Sequence, residues 1–162
     1  MHPDHRRHTA RWGAPLVLTL VLLAGSVAGP AAALKRETLK LHTKGGVKVI
    51  NVEITETQEE KAKGLMFRTQ LEDTDSMLFF YDRPMEITMW MRNTLIPLDM
   101  VFIRADGIVH RIEAWTKPFS EAIISSRANV SACLELAGGA AERLGLKPGD
   151  RVEHPLFKPA GK

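Results

Sequence analysis

The sequence predicts a mainly β fold, a single-domain β-sandwich or barrel of jelly-roll-like type, with two short helices. Three observations predict it. Short apolar or alternating segments recur along the chain, Gly-containing turn signals separate them, and helical signatures are confined to two brief stretches.

Thr38 to Thr43 and Val47 to Thr55 alternate as strands do, and Lys44-Gly45-Gly46 between them suits a tight hairpin. Thr57-Gln58-Glu59-Glu60 has the form of a capping box, so a helix is expected from about Gln58 to Met66, with Gly64 near its end. Leu71 to Ser76 reads as an acidic loop and Met77 to Tyr81 as an apolar strand. Asp82-Arg83-Pro84 is expected to break that strand before another from Ile87 to Met91. Arg92 to Leu98 is a loop stiffened by Pro97. Asp99 to Arg104 and Ile108 to Trp115 form a hairpin, with Asp106-Gly107 in a type I′ turn. A strand over Val130 to Leu136, a helix over Gly138 to Leu144 stopped by Gly145, and a closing strand over Arg151 to His154 complete the order. Lys158 to Lys162 is expected to fray.

Residues 1–33 have the make-up of a secretory signal peptide. Arg6, Arg7 and Arg11 form a basic head, Ala14 to Gly29 is uncharged and leucine-rich, and Ala31-Ala32-Ala33 offers small residues for cleavage. That apolar run is about 16 residues, short of the ~20 that span a bilayer. Cleavage is expected after Ala33, with Ala28 the second choice and an uncleaved anchor the alternative. Residues 34–162 then form one domain, placed in the periplasm or secreted, touching a membrane only through an uncut leader. Taking away Arg6, Arg7, Arg11 and Asp4 turns 22 basic and 19 acidic residues into 19 and 18. No basic run exceeds two residues past the leader, which argues against nucleic acid as a partner. Cys133 is the only cysteine, so no internal disulfide can form, and a small buried core residue is its expected role.

Gly64-Leu65-Met66 with Arg68, Met77-Leu78-Phe79, Trp90-Met91 with Asn93-Thr94 and Pro97-Leu98-Asp99 stand in order along the chain. Asp106-Gly107, Leu134-Glu135, Ala137-Gly138-Gly139 and Gly149-Asp150 follow them. In these motifs the chain resembles the domain of unknown function 192 family over roughly Leu39 to Glu153. The resemblance implies a compact, mainly β, often exported domain, with no established activity and no catalytic residue to carry over. Arg92 stands where the family usually has lysine, which keeps the charge and changes the donor geometry. Cys133 stands where an aromatic or branched residue is more usual.

The candidate ligand-binding set is Arg68, Trp90, Arg92, Asn93, Thr94, Asp99 and Glu135. A Trp platform beside fixed donors and acceptors is the usual make-up of a small polar-ligand site. Asn93 and Thr94 would serve equally to satisfy turn backbone, and Asp99 to pair with Arg68 or cap an amide. Glu135, between Leu134 and Leu136, needs a partner if buried, and Arg68 or Arg92 would serve. The leading expectation is a non-enzymatic module for a small polar ligand or an envelope protein, with no cofactor. A glycan hydrolase using Asp99 and Glu135 is one rival, requiring both carboxyls in one cleft. A Cu(I) protein using Met89 and Met91 is another, requiring both thioethers accessible. No resident metal is expected: His42, His110 and His154 are scattered, and no phosphate loop or nucleophile elbow is present.

Overall fold

The computed structural model describes residues 33–157. The leader up to Ala32 and the frayed end expected of 158–162 lie outside the described residues. Seven strands and two short helices follow in the order β1 (Lys35–Thr43), β2 (Gly46–Thr55), α1 (Gln58–Lys63), β3 (Asp75–Met89), β4 (Leu98–Ile103), β5 (Val109–Glu113), β6 (Ile124–Ala137), α2 (Ala140–Leu144) and β7 (Arg151–Glu153).

All seven strands join one sheet in the order β5-β4-β6-β3-β2-β1-β7. Only β2 and β3 run parallel, connected through α1; the other pairs are antiparallel. The sheet curls until its two edges meet. Ile108 bridges Arg151, the Val109 amide donates to the Asp150 carbonyl at 2.9 Å, and the Val152 amide donates to the Gly107 carbonyl at 2.8 Å. Of sandwich and barrel, this is nearer the barrel: one sheet bent into a half-barrel, whose edge strands touch at the Ile108–Arg151 bridge.

Alternation along the strands gives the sheet two apolar faces. Leu41, Ile50, Val52, Leu78, Val101, Ile103, Leu134 and Val152 fill one core, closed by α2 through Ala140 and Ala141 and by Phe157. Met77, Phe79, Leu98, Met100, Phe102 and Cys133 form a second core on the opposite face, covered by Leu65, Leu71 and Ile96 from the connecting loops. Cys133 is buried and unpaired, as a small core residue would be.

The capping box at α1 is present: the Thr57 hydroxyl accepts from the Glu60 amide at 3.1 Å, and the Glu60 carboxylate accepts from the Thr57 amide at 2.9 Å. Three expectations change. The segments on either side of Asp82-Arg83-Pro84 are one strand, because pairing with β6 skips from Phe80 to Met85 and leaves Pro84 where no ladder donor is needed. In the β4–β5 turn only Gly107 takes a positive φ, 82°, and its amide donates to the Arg104 carbonyl. A type I turn with a glycine bulge thus replaces the type I′ turn. Finally, β6 begins six residues before Val130, through a polar stretch in which the Ser126 hydroxyl accepts from the Ile87 amide. No helix among the described residues is long and apolar enough to cross a membrane.

Candidate functional site

Glu135 lies near the C-terminal end of β6, opposite Met77 of β3 and Met100 of β4, with Cys133 two residues back on the same face. It is 4 % exposed, and its Oε2 is the one buried side-chain polar atom without a hydrogen-bond partner among the described residues. Burial among apolar side chains pushes its carboxyl up to about 8, with the Arg68 charge pulling weakly the other way. At neutral pH it is therefore a carboxylic acid, able to donate as well as accept.

A pocket of about 100 Å³ opens over this group, lined by Lys61, Tyr81, Met89, Trp90, Thr94 and Glu135 among others. Gly64, which ends α1 with φ 48°, allows the chain to pass this close. A side chain there would meet the Phe79 ring at 3.0 Å and stand 4.0 Å from Glu135 Oε2. The Lys61 ammonium sits 4.7 Å from the Tyr81 ring centre, and the Arg92 guanidinium 5.5 Å from that of Trp90. Burial raises the Tyr81 phenol, and the neighbouring Cys133 adds to the effect.

Of the expected residues, Trp90, Thr94 and Glu135 line this pocket, and Arg92 and Asn93 lie in the same loop. Asn93 has φ 55°; its carbonyl accepts from the Phe67 amide at 2.9 Å, while the Thr94 carbonyl accepts from the Phe119 amide at 3.2 Å. The Asn-Thr motif therefore ties three loops together.

Arg68 and Asp99 do not join them. Arg68 binds the Glu53 carboxylate, which Arg36 also contacts at 2.5 Å, so it is not the partner that buried Glu135 was expected to need. Burial pushes Glu53 upward, and the Arg68 and Arg36 charges override it and hold this carboxyl below its ordinary range. Arg92, the other candidate partner, lies 3.9 Å from Glu121 instead. A larger hollow, about 740 Å³, adjoins Arg36, Glu53 and Arg68, but its charged groups are engaged with one another or with neighbours, and no buried atom there lacks a partner.

Asp99 is fully buried on the other face. Its Oδ1 accepts from the Trp115 and Gly139 amides and its Oδ2 from the Ala141 amide, each at 2.9 Å. It caps the start of α2, the amide-satisfying alternative named for it above. Asp99 pairs with Leu136 and Met100 with Glu135, so on neighbouring rungs the two carboxylates point through opposite faces. They share no cleft, and the paired-carboxylate hydrolase is excluded on geometry.

The copper pair fails as well. Strand β3 ends at Met89, Met91 is fully buried, and its sulfur accepts from the Thr116 hydroxyl at 3.1 Å. No group of three His, Cys, Asp or Glu among the described residues could hold a metal ion.

Lys61 and Tyr81 are pocket residues that the sequence reading missed. Tyr81 was placed at a strand end and Lys61 only within the expected helix, and no spacing signals their convergence over Glu135.

Residues 39–154 match the model of the family DUF192, described as "Uncharacterized ACR". Two solved structures are similar over most of the chain. One, from Sinorhizobium meliloti 1021 and described only provisionally as a transcription regulator, is 39% identical with a TM-score of 0.74, covering 76% of this chain and 97% of its own. The other, a protein of unknown function from Novosphingobium aromaticivorans DSM 12444, is 41% identical with a TM-score of 0.72, covering 80% and 89%. No curated protein matches the chain.

Proposed function

The chain belongs to the DUF192 family, and we propose that it is a non-enzymatic binding module, exported to the periplasm or envelope, that takes a polar end-group of a small ligand into the pocket over Glu135. One observation carries this reading: a buried carboxyl whose Oε2 has no partner, at the edge of a pocket walled by Trp90 and Thr94. An unsatisfied buried group of this kind costs roughly 1–3 kcal/mol, a cost that a bound donor or acceptor would remove. About 100 Å³ is room for roughly three waters or a few heavy atoms, so the pocket would take one substituent of a larger molecule. Trp90, 42 % exposed, would meet the apolar face of the remainder. A neutral Glu135 favours hydroxyl or amide groups, which need both a donor and an acceptor. The basic head, apolar run and Ala-x-Ala end of residues 1–33 support export.

The test is thermal unfolding of the full chain against saccharides rich in hydroxyl and amide groups, N-acetylglucosamine first. The wild type is expected to gain stability, about 2.7 kcal/mol with ligand a hundredfold above Kd. Glu135→Gln, which still donates and accepts, should keep most of the response, and Glu135→Leu should lose it. An equal response from Glu135→Leu, or none from the wild type across the series, would sink the reading.

A further inference from the structure

Phe67 and Phe119 are 64 % and 62 % exposed, and both hold a left-handed backbone, with φ 64° and 61°. Such a conformation costs a non-glycine residue on the order of 1 kcal/mol or more. Exposing a phenylalanine ring returns nothing to the isolated domain. Both are held by adjacent carbonyls of one loop, Phe67 by Asn93 and Phe119 by Thr94. Trp90 and Leu95 of that same loop are 42 % and 37 % exposed. The three segments 61–70, 90–97 and 114–123 thus present a cluster of large apolar side chains on connected loops.

Their charges are lopsided. Lys61, Lys63, Arg68, Arg92 and Lys117 stand in these segments against a single acid, Glu121. With Arg68 paired to Glu53 and Arg92 beside Glu121, the three lysines carry the surplus, although the chain from residue 34 onward is nearly balanced. Aromatic tips among basic side chains match a bilayer interface. Rings insert at headgroup depth there, while lysine and arginine reach anionic phosphates on flexible stems.

We propose that this face docks on an anionic lipid surface through Phe67, Trp90, Leu95 and Phe119, with the basic side chains supplying the attraction. The surface shares Trp90 with the pocket, but Phe67, Leu95 and Phe119 do not line it, and insertion of the rings does not require Glu135.

The experiment uses the full chain with a polarity-sensitive dye on Phe119→Cys; the native Cys133 is fully buried and takes no label. Val49→Cys, at an exposed position on β2, reports any effect of the leader alone. With vesicles of equal parts phosphatidylglycerol and phosphatidylcholine, the dye at position 119 should shift to shorter wavelength, reverse at high salt, and leave position 49 unchanged. Vesicles of phosphatidylcholine alone should give little shift. Lys63→Gln with Lys117→Gln should raise the lipid needed for half the shift about 25-fold, roughly fivefold per charge. Phe67→Cys is a second labelled position expected to behave like 119 should the first variant fold poorly. Equal shifts at 119 and 49, or no shift at 119 and 67 in properly folded protein, would overturn the proposal; the second result would leave an acidic protein as occupant of this face. Glu135→Leu should dock unchanged, so failure of the pocket reading and failure of this one are separable.

Discussion

At the scale of single residues, the buried carboxyl groups of Asp99 and Glu135 show how similar sequence contexts yield opposite roles. Asp99 meets three backbone amides at 2.9 Å, while Glu135 Oε2 meets none. Asp99→Ala would leave those three donors unsatisfied, the Gly139 and Ala141 bonds being buried, and each such loss costs roughly 1–3 kcal/mol. We expect Asp99→Ala to destabilise the domain by about 3–5 kcal/mol in denaturant titration. A loss below about 1 kcal/mol would refute the capping role. Glu135 was legible as an acid out of place in an apolar strand, and its burial is as the neighbouring leucines suggest. Its isolation was not legible. Whether Arg68 turns toward Glu135 or Glu53 depends on where the chain leaves Gly64, which no local pattern records. The same blindness covers Phe67 and Phe119, whose exposure is set by hydrogen bonds to Asn93 and Thr94 from loops distant in sequence.

Among elements, the hairpins, the α1 capping box and α2 were readable because each rests on contacts within a few residues. The long strands were not. Asp82-Arg83-Pro84 carries a local break signal, and tertiary pairing overrides it by bulging four residues out of β3. The polar start of β6 reads as loop for the same reason. The seam between β5 and β7 also escapes the sequence, being a long-range closure around one glycine. A Cβ on Gly107 would stand 2.5 Å from the Val152 carbonyl, and φ 82° disfavours any side chain. Gly107→Ala should therefore destabilise by about 2–4 kcal/mol. Amide exchange should quicken first at Val109 and Val152, which bond across the seam. If protection there survives, the edges do not hold one another as described.

For the whole molecule, titration sets two limbs of a stability curve. Glu53 and Asp106 are both held below the ordinary carboxylate range. Burial opposes this in each, but Arg68 and Arg36 prevail at Glu53, and the Ile108 amide with Arg104 prevails at Asp106. Stability from these groups is present above the unfolded value and is lost as pH falls through their folded values. Surface pairs such as Asp73 with Arg143 follow the same direction but add little through solvent. Glu135 runs the other way. Its carboxyl is pushed up to about 8 in the folded chain by burial, against the ordinary 4.5 of an exposed glutamate in the unfolded one. Between these values the native state holds a proton that the unfolded state has released, so rising pH favours unfolding. A gap of this size corresponds to several kcal/mol, on the order of 1.4 for each pH unit crossed. The domain should accordingly be most stable in mildly acid solution, decline toward pH 8 and then level off. In Glu135→Gln the decline above pH 5 should vanish while the acid limb remains, because the amide has no proton to lose and Glu53 is untouched. Urea titrations from pH 4 to 9 on both proteins decide it. A flat wild-type profile between pH 5 and 8 would mean that the buried carboxyl has a donor at Oε2 after all, and the binding pocket would lose the feature that identifies it.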